Sequence, residues 1–340
     1  MELQYRLIRQ AIDIAVSKGI EDIKDNTKRG LRNLIDLGLF FSQSENQKWF
    51  FTTAQKVITN PRNPYNSLAK AMISEVDNET IKRVGLNLGY GSLTYGAHKL
   101  KKKQEDLGVQ IPWLLILDIS ASSPDLFHRM EQCIQECQER GIYSYIACPS
   151  KKDDIPVLCE TAKRFEECMF ALKVPPGFIS EQTATSLGKI HNTIVSVQAP
   201  DTGFNCEKDI NAFRLLRRNH CLYGFHIYYN EENMKQVTAP EYTRSAINLG
   251  NLFGVYIAQE GVSDICKDKL YDFVCRERGE NGQPLITLEW PRDMRDISQK
   301  ILSGDGYMAI NLAEKVYFEC PKAKNSLLEI FQNMQPCTSS

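Results

Sequence analysis

From residue 113 onward the sequence repeats one unit, a short apolar run followed by a turn and an amphipathic segment. Seven such units follow one another. The apolar runs are WLLILDIS (113–120), YSYIAC (143–148), MFALKV (169–174), TIVSVQA (193–199), LYGFHIYY (222–229), FGVYIAQ (253–259) and PLITLEW (284–290), and a last apolar segment spans 307–320. Because the helix of each unit returns the chain to the same edge of the sheet, these repeats imply parallel strands.

Eight strand–helix units usually close into a barrel. The sequence therefore predicts an α/β fold that contains a (β/α) barrel, full or partial. A doubly wound open sheet is the alternative, but no glycine-rich dinucleotide turn follows the first strand. The barrel helices are predicted near 124–140, 155–167, 180–188, 206–219, 239–248, 263–278 and 292–302.

The first hundred residues have a different pattern, in which apolar residues recur at helical spacing. This pattern predicts a small α-helical domain at 1–108, before a barrel at 109–320 and a C-terminal helix and tail at 321–340. Its helices are predicted at 3–19 with Gly19 as the end, and at 26–41, 46–58, 67–76 and 78–84. The glycines of GYGSLTYG (89–96) indicate a tight connection or a segment that caps the barrel, and WFF (49–51) is interpreted as core of the helical domain.

Charge and composition exclude several classes of protein. The net charge is −1, from 41 basic and 42 acidic residues, so no overall field attracts nucleic acid or an anionic membrane. No apolar run reaches the length of a membrane span, and the first residues do not resemble a signal peptide. Eleven cysteines without paired spacing are typical of reduced thiols, which predicts a cytoplasmic location.

Two of these cysteines, Cys133 and Cys137, have the spacing with which an iron–sulfur motif begins, but Arg140 stands at the third position. Both fall on the apolar stripe of the first barrel helix together with Met130 and Ile134. A buried cysteine behaves as a small hydrophobic residue. The spacing is therefore interpreted as two core cysteines.

Several segments of the barrel region, in their shared order, resemble the radical S-adenosylmethionine (SAM) superfamily. The series IPWLLILDIS, GIYSYIACPS and FEECMFALKVPPGFISEQTATSLGKIHNTIVSVQAP is similar to a bacterial branch whose catalytic domain is a partial (β/α) barrel. The match continues in RLLRRNHCLYGFHIYYNEENMKQVTAPEY, and then in YMAINLAEKVYFECP and NSLLEIFQNMQP. The resemblance covers roughly residues 110–335.

Two departures from the family pattern bear on function. The family holds a [4Fe–4S] cluster with a CxxxCxxC motif in the loop after the first strand, where ASSPDLF (121–127) contains no cysteine. The family's glycine-rich turn after the second strand corresponds to CPSKKDD (148–154), which contains no glycine. Without three thiolates no cluster is held, and without a cluster SAM is not reductively cleaved. The resemblance thus implies the fold, in a degenerate member, and argues against the radical chemistry.

The predicted function is that of a non-catalytic radical SAM-like barrel, an accessory protein that binds an unknown small molecule or protein partner without a [4Fe–4S] cluster or another cofactor. In one alternative the chain is an active radical SAM enzyme with a cluster and SAM, whose cysteines converge from other positions. Three of Cys148, Cys159, Cys168 and Cys206 would have to supply the ligands. In the other, a barrel enzyme performs non-radical acid–base chemistry around Asp118, His226 and Glu289.

Barrel proteins place their working groups at the carboxyl ends of the strands. The polar residues near these ends are the candidates for ligand binding; they are Asp118, Lys173, Gln198, His226, Tyr228 and Glu289. They are interpreted either as a small-molecule site or as a buried network of ion pairs. No catalytic residue and no metal ligand is assigned among them, since no HxH or HExxH spacing is present.

Overall fold

The structure, a computed structural model, describes residues 2–42, 45–107, 111–119, 126–279, 282–290, 292–302, 307–311 and 316–318. Its amino-terminal part is helical. The helices are α1 Glu2–Asp25, α2 Thr27–Phe40, α3 Glu45–Thr59, α4 Tyr65–Glu75, α5 Asn78–Gly85 and α6 Ala97–Leu107, and a π-helix Leu86–Gly96 joins α5 to α6. The predicted helices are present, whereas the domain boundary near residue 108 stays a prediction.

One predicted helix end is wrong. α1 continues through Gly19 to Asp25. Gly19 is buried, and a Cβ atom there would lie 2.4 Å from the Cδ2 atom of Leu34 on α2. The glycine therefore allows two helices to approach each other closely, and a pattern of sequence alone does not distinguish this role from a helix end.

The sequence predicted that the WFF segment (49–51) lies in the core of the helical domain. The structure places only part of this segment there. Phe51 packs against Gly38 of α2, since a Cβ atom at Gly38 would lie 2.2 Å from its ring. Trp49 and Phe50, in contrast, are 56% and 51% exposed. The side chain of Lys300 lies over the ring of Trp49, at 5.2 Å from its centroid.

After residue 111 the described chain forms one sheet of nine strands. They are β1 Leu114–Ile119, β2 Ser144–Pro149, β3 Met169–Val174, β4 Thr193–Gln198, β5 Tyr223–Tyr229, β6 Phe253–Ala258, β7 Ile286–Trp290, β8 Tyr307–Asn311 and β9 Val316–Phe318. The first eight strands are parallel, and β9 is antiparallel to β8. The predicted C-terminal helix (321–340) and residues 121–125 of the loop after β1 lie outside the described residues.

The strand order is β7-β6-β5-β4-β3-β2-β1-β8-β9. From β1 to β7 each strand lies beside its predecessor in the chain, and β8 returns to the other side of β1, as it would in a closed barrel. Within the described residues β7 and β8 are not paired, so the barrel is open between them. The prediction of a (β/α) barrel is confirmed in its partial form. The doubly wound alternative, in which the strand order reverses, is wrong.

Helices follow the strands as the repeat predicts. They are α7 Leu126–Arg140, α8 Ile155–Arg164, α9 Glu181–Leu187, α10 Glu207–Arg218, α11 Met234–Val237, α12 Pro240–Asn248, α13 Asp264–Glu277 and α14 Arg292–Ile297. Side-chain caps fix the start of two of them: the hydroxyls of Ser180 and Ser263 each accept a hydrogen bond from a backbone N–H of the first turn, at 3.3 Å. None of the described helices has the length and apolar character needed to cross a membrane.

The π-helix Leu86–Gly96 packs against the amino-terminal edge of the sheet. The hydroxyls of Ser92 and Ser144, the first residue of β2, are 2.6 Å apart in a buried hydrogen bond. The amide of Asn87 donates to the carbonyl of Cys168 at 2.7 Å, and Gly96 lies against the carbonyl of Gly141. Of the two interpretations of GYGSLTYG, the structure confirms the capping segment.

Successive side chains of a strand point to opposite faces of the sheet. On β1, Leu115, Leu117 and Ile119 are fully buried and belong to the main hydrophobic core, whereas Ile116 and Asp118 on the other face are half-buried. The strand register carries this division across the whole sheet. We call the face of Asp118 the inner face and the helix-covered face of Leu117 the outer face.

Cys133 and Cys137 on α7 belong to that same core and are 9% and 0% exposed. A hydrogen bond with the neighbouring Cys133 thiol, followed by burial, raises the pKa of Cys137 well above its ordinary value. A thiol with a raised pKa stays protonated at neutral pH, and Cys137 has no exposed surface at which a cluster could contact it. The interpretation as two core cysteines is confirmed.

Candidate functional site

Five of the six predicted site residues lie on the inner face. Asp118 on β1 is in register with Cys148 on β2, and Lys173 on β3 is in register with Ser196 on β4. Gln198, two residues beyond Ser196, is in register with His226 on β5. Tyr228 follows on the same face of β5. Register between strands and alternation within each strand thus bring seven polar residues to one face. We call them the polar cluster; they are Asp118, Cys148, Lys173, Ser196, Gln198, His226 and Tyr228.

Lys173 and Tyr228 are in direct contact across β4. The Lys173 ammonium donates a hydrogen bond to the Tyr228 hydroxyl, and its Nζ atom lies 5.0 Å from the centre of the tyrosine ring. Both side chains are half-buried. The tyrosine oxygen accepts this bond, so its own hydrogen remains to be donated to another group.

His226 is the most buried member of the polar cluster, at 3% exposure. Its Nδ1 atom lies 3.0 Å from the Ser196 hydroxyl, and its ring meets the ring of Tyr228 edge-on at 5.9 Å. Burial, followed by the positive charge of Lys173, lowers the pKa of His226 to about 3. The imidazole is therefore neutral at pH 7 and is far too weak a base for proton abstraction at that pH.

Cys148 lies between Asp118 and Lys173 on the inner face. Burial raises the pKa of this thiol to about 11, and Lys173 opposes the shift while Asp118 adds to it. The thiol is protonated at neutral pH and is not an activated nucleophile.

Glu289, the sixth predicted residue, lies on the outer face. It pairs in register with Tyr256, which is fully buried among core side chains. Its carboxylate accepts hydrogen bonds from the Tyr229 hydroxyl at 3.0 Å and from the backbone N–H of Arg292 at 3.1 Å. Burial raises its pKa. The sheet therefore separates Glu289 from His226, and the two do not form an acid–base pair.

An ion pair between Arg278 and Asp293 beside Glu289 completes a buried network. The Arg278 guanidinium donates to both carboxylate oxygens of Asp293, one of them at 2.8 Å. Asp293 also accepts from the backbone N–H of Glu289 at 2.7 Å, on the edge of β7 away from β6. For Glu289 the structure thus favours the buried network over the ligand site.

The described cysteines do not fit a [4Fe–4S] cluster. Of the nine described cysteines, Cys148 is the one that lies in a strand; the others lie on helices or in connections. Cys159 and Cys168, two of the candidates for convergence, are buried in the core on the outer side of the sheet. Across the described ranges no three His, Cys, Asp or Glu side chains come close enough together to hold a metal ion.

The turn after β2 is closed by the side chain of Asp154. The Asp154 carboxylate accepts from the backbone N–H of Lys151 at 3.1 Å and lies 3.4 Å from the Ser150 hydroxyl. A short 3₁₀ helix, Lys152–Asp154, then leads into α8. The Asp154 carboxylate and the Ser150 hydroxyl are therefore engaged within the chain.

Sequence reasoning missed the apolar half of the inner face. Next to Tyr228, the inner face continues with half-buried apolar side chains on β6 and β7: Val255, Ile257, Leu288 and Trp290. Alternate residues of a strand share a face, and Val255 is in register with His226. This two-residue period was the signal that could have placed the four apolar residues on the inner face. Ser196 and Cys148 could have been found in the same way.

Comparisons with known proteins name no family for this chain. No family model and no curated protein matches it. Among solved structures, SuiB of Streptococcus suis bound to S-adenosylmethionine is 10% identical, with 69% of this chain and 67% of that chain covered and a TM-score of 0.48. SuiB of Streptococcus suis in a further crystal structure covers 84% of this chain and 72% of its own, at 9% identity and a TM-score of 0.47. A protein of Aquifex aeolicus VF5 is 9% identical, with 70% and 96% covered and a TM-score of 0.38. At these values the likeness assigns neither family nor activity.

Proposed function

We propose that this protein is a cluster-free, radical SAM-like partial barrel that binds a small molecule at its inner face and acts as an accessory protein rather than as an enzyme. The observation that supports this proposal most is the contact between Lys173, Tyr228 and His226. Polar side chains that are buried or half-buried on one face of a sheet need partners, and a bound ligand provides such partners.

The electrostatics of the polar cluster favour binding over catalysis. His226 is neutral at pH 7, Cys148 is a protonated thiol, and Glu289 faces the other side of the sheet. Within the polar cluster, neither His226 nor Cys148 is therefore suited to act as a base or as a nucleophile at that pH. Hydrogen-bond donors on one side and apolar side chains on the other are, by contrast, typical of ligand sites.

The absence of cluster chemistry is tested by anaerobic purification and iron–sulfur reconstitution, with iron and sulfide counted per chain during a SAM titration. We expect no stoichiometric iron and no saturable SAM binding, because the described cysteines do not converge. About four irons per chain together with saturable SAM binding would contradict the proposal, since this is the composition of a [4Fe–4S] enzyme.

Binding at the inner face is tested by the shift in melting temperature with a fixed panel of amino acids, organic acids, nucleotides and sugar phosphates. At least one compound is expected to raise the melting temperature of the wild type. The same compound should raise the melting temperature of Tyr228→Phe by less, because this variant loses the hydroxyl and keeps the ring. Lys163→Met is the matched control, because Lys163 pairs with Glu160 on the exposed side of α8. Equal shifts in all three proteins would place binding elsewhere.

A further inference from the structure

We infer that the ligand of the inner face is a monocarboxylate that carries an apolar or aromatic body. The inference rests on the proposed function, because it names the class of molecule that the same site takes. Each half of the inner face supplies a separate observation.

The polar half contains a cation without a carboxylate partner among the described residues. No described carboxylate oxygen lies within 4.0 Å of the Lys173 ammonium, whose hydrogen-bond partner is the neutral hydroxyl of Tyr228. The other groups around Lys173 are the neutral imidazole of His226, the protonated thiol of Cys148 and, beyond that thiol, the carboxylate of Asp118. A half-buried charge is stabilised by an opposite charge in contact with it. The site therefore favours an anion.

The number of charges favours a carboxylate over a phosphate. Lys173 is the one cationic residue of the polar cluster, and it provides a single positive charge. Phosphate groups, which carry up to two negative charges, are typically bound by several cations or by the fork of an arginine. A carboxylate matches one ammonium and can accept a further hydrogen bond from the Tyr228 hydroxyl or from the amide of Gln198 on the neighbouring strand.

The apolar half specifies the rest of the ligand. Ile257 is in register with Tyr228 on one side and with Trp290 on the other. Val255 and Leu288 form the next apolar pair on the same face. All four are half-buried, so part of each apolar side chain remains accessible. A ligand whose carboxylate contacts Lys173 and whose body is apolar would cover this surface.

The test is calorimetric titration at pH 7 with octanoate, 3-phenylpropionate and indole-3-propionate, each compared with its primary amide. At least one acid is expected to bind saturably and about tenfold more tightly than its amide, the ratio that one hydrogen bond to a charged group provides. Acetate, which has the carboxylate without the body, should bind much more weakly. Equal affinity for acid and amide, or no saturable binding of any acid, would overturn the inference.

Variants of the chain locate the binding. Lys173→Met keeps the length of the side chain and removes the charge, and it should reduce the preference for the acid over the amide to about none. Tyr228→Phe should weaken acid binding about threefold to tenfold, as expected for one lost hydrogen bond. Lys163→Met, the exposed control on α8, should bind like the wild type. An unchanged preference in Lys173→Met would contradict the inference even if Tyr228→Phe were unfolded.

Titrations with phenyl phosphate and octylamine separate this inference from the proposed function. Saturable binding of either compound that weakens in Tyr228→Phe, without binding of the acids, would leave an inner-face site in place and overturn the ligand class. Reconstitution of a cluster with SAM binding would overturn the proposed function instead, whichever acids bind.

Discussion

At the scale of single residues, the polar cluster shows how the environment changes what a side chain can do. His226 has the residue type of a general base, yet burial beside Lys173 keeps it neutral. Cys148 has the residue type of a nucleophile or cluster ligand, yet burial raises its pKa to about 11. Both residues were visible in the sequence. Their protonation at pH 7 follows from desolvation, which depends on the packing of neighbouring strands.

The burial of His226 predicts how stability depends on pH. Its pKa is about 3 in the folded state and 6.5 in the unfolded chain, so only the unfolded state binds a proton between these values. The free energy of unfolding should therefore fall as the pH drops below 6.5, by about 2 kcal/mol between pH 7 and pH 5 from this residue alone.

Urea unfolding at pH 7 and pH 5 measures this contribution. His226→Gln removes the titrating group, so it should lose about 2 kcal/mol less stability than the wild type between the two pH values. The exposed His128 provides the control, and His128→Gln should keep the wild-type dependence. If His226→Gln and the wild type lose the same stability, His226 is not buried as the structure describes.

At the scale of elements, glycines decide how closely the amino-terminal helices approach each other. A Cβ atom at Gly30 of α2 would lie 2.4 Å from the backbone nitrogen of Ile23 on α1. Backbone atoms cannot move aside as the end of a side chain can. A Cβ atom added at Gly85, the last residue of α5, would have no other atom within 4 Å.

These two glycines form a matched pair of substitutions. Gly30→Ala should lower the free energy of unfolding by about 1–3 kcal/mol, because α1 and α2 must separate. Gly85→Ala should raise it by up to about 1 kcal/mol, because alanine favours the helix and meets no neighbour. Chemical denaturation of both variants checks the prediction. A stabilising Gly30→Ala would show that the two helices are not packed this closely.

At the scale of the whole molecule, the helical segment and the partial barrel share buried polar contacts. The Ser92–Ser144 hydrogen bond and the bonds from Asn87 to the carbonyls of Glu166 and Cys168 join the π-helix to the sheet edge. Such contacts are costly to leave unpaired when one part unfolds alone. We therefore expect the two parts to unfold together.

Equilibrium unfolding followed by two probes tests this expectation. Fluorescence of a variant whose one tryptophan is Trp49 reports on α3, and that of a variant whose one tryptophan is Trp290 reports on β7. Their urea midpoints should coincide, as two-state unfolding requires. A lower midpoint for Trp49 alone would mean that residues 1–108 form an independent domain, as the division of the sequence had suggested.

The sequence by itself determined the strands and helices of the barrel, since each apolar run and amphipathic segment has its period built into the order of residues. It also determined that Cys133 and Cys137 lie on a buried stripe. The tertiary structure alone decided the opening between β7 and β8, the continuation of α1 through Gly19 and the placement of Glu289 on the outer face. These features depend on register and on close approach between distant segments. A one-residue change of register places a side chain on the opposite face of the sheet. Strand pairing therefore decides which residues belong to the site.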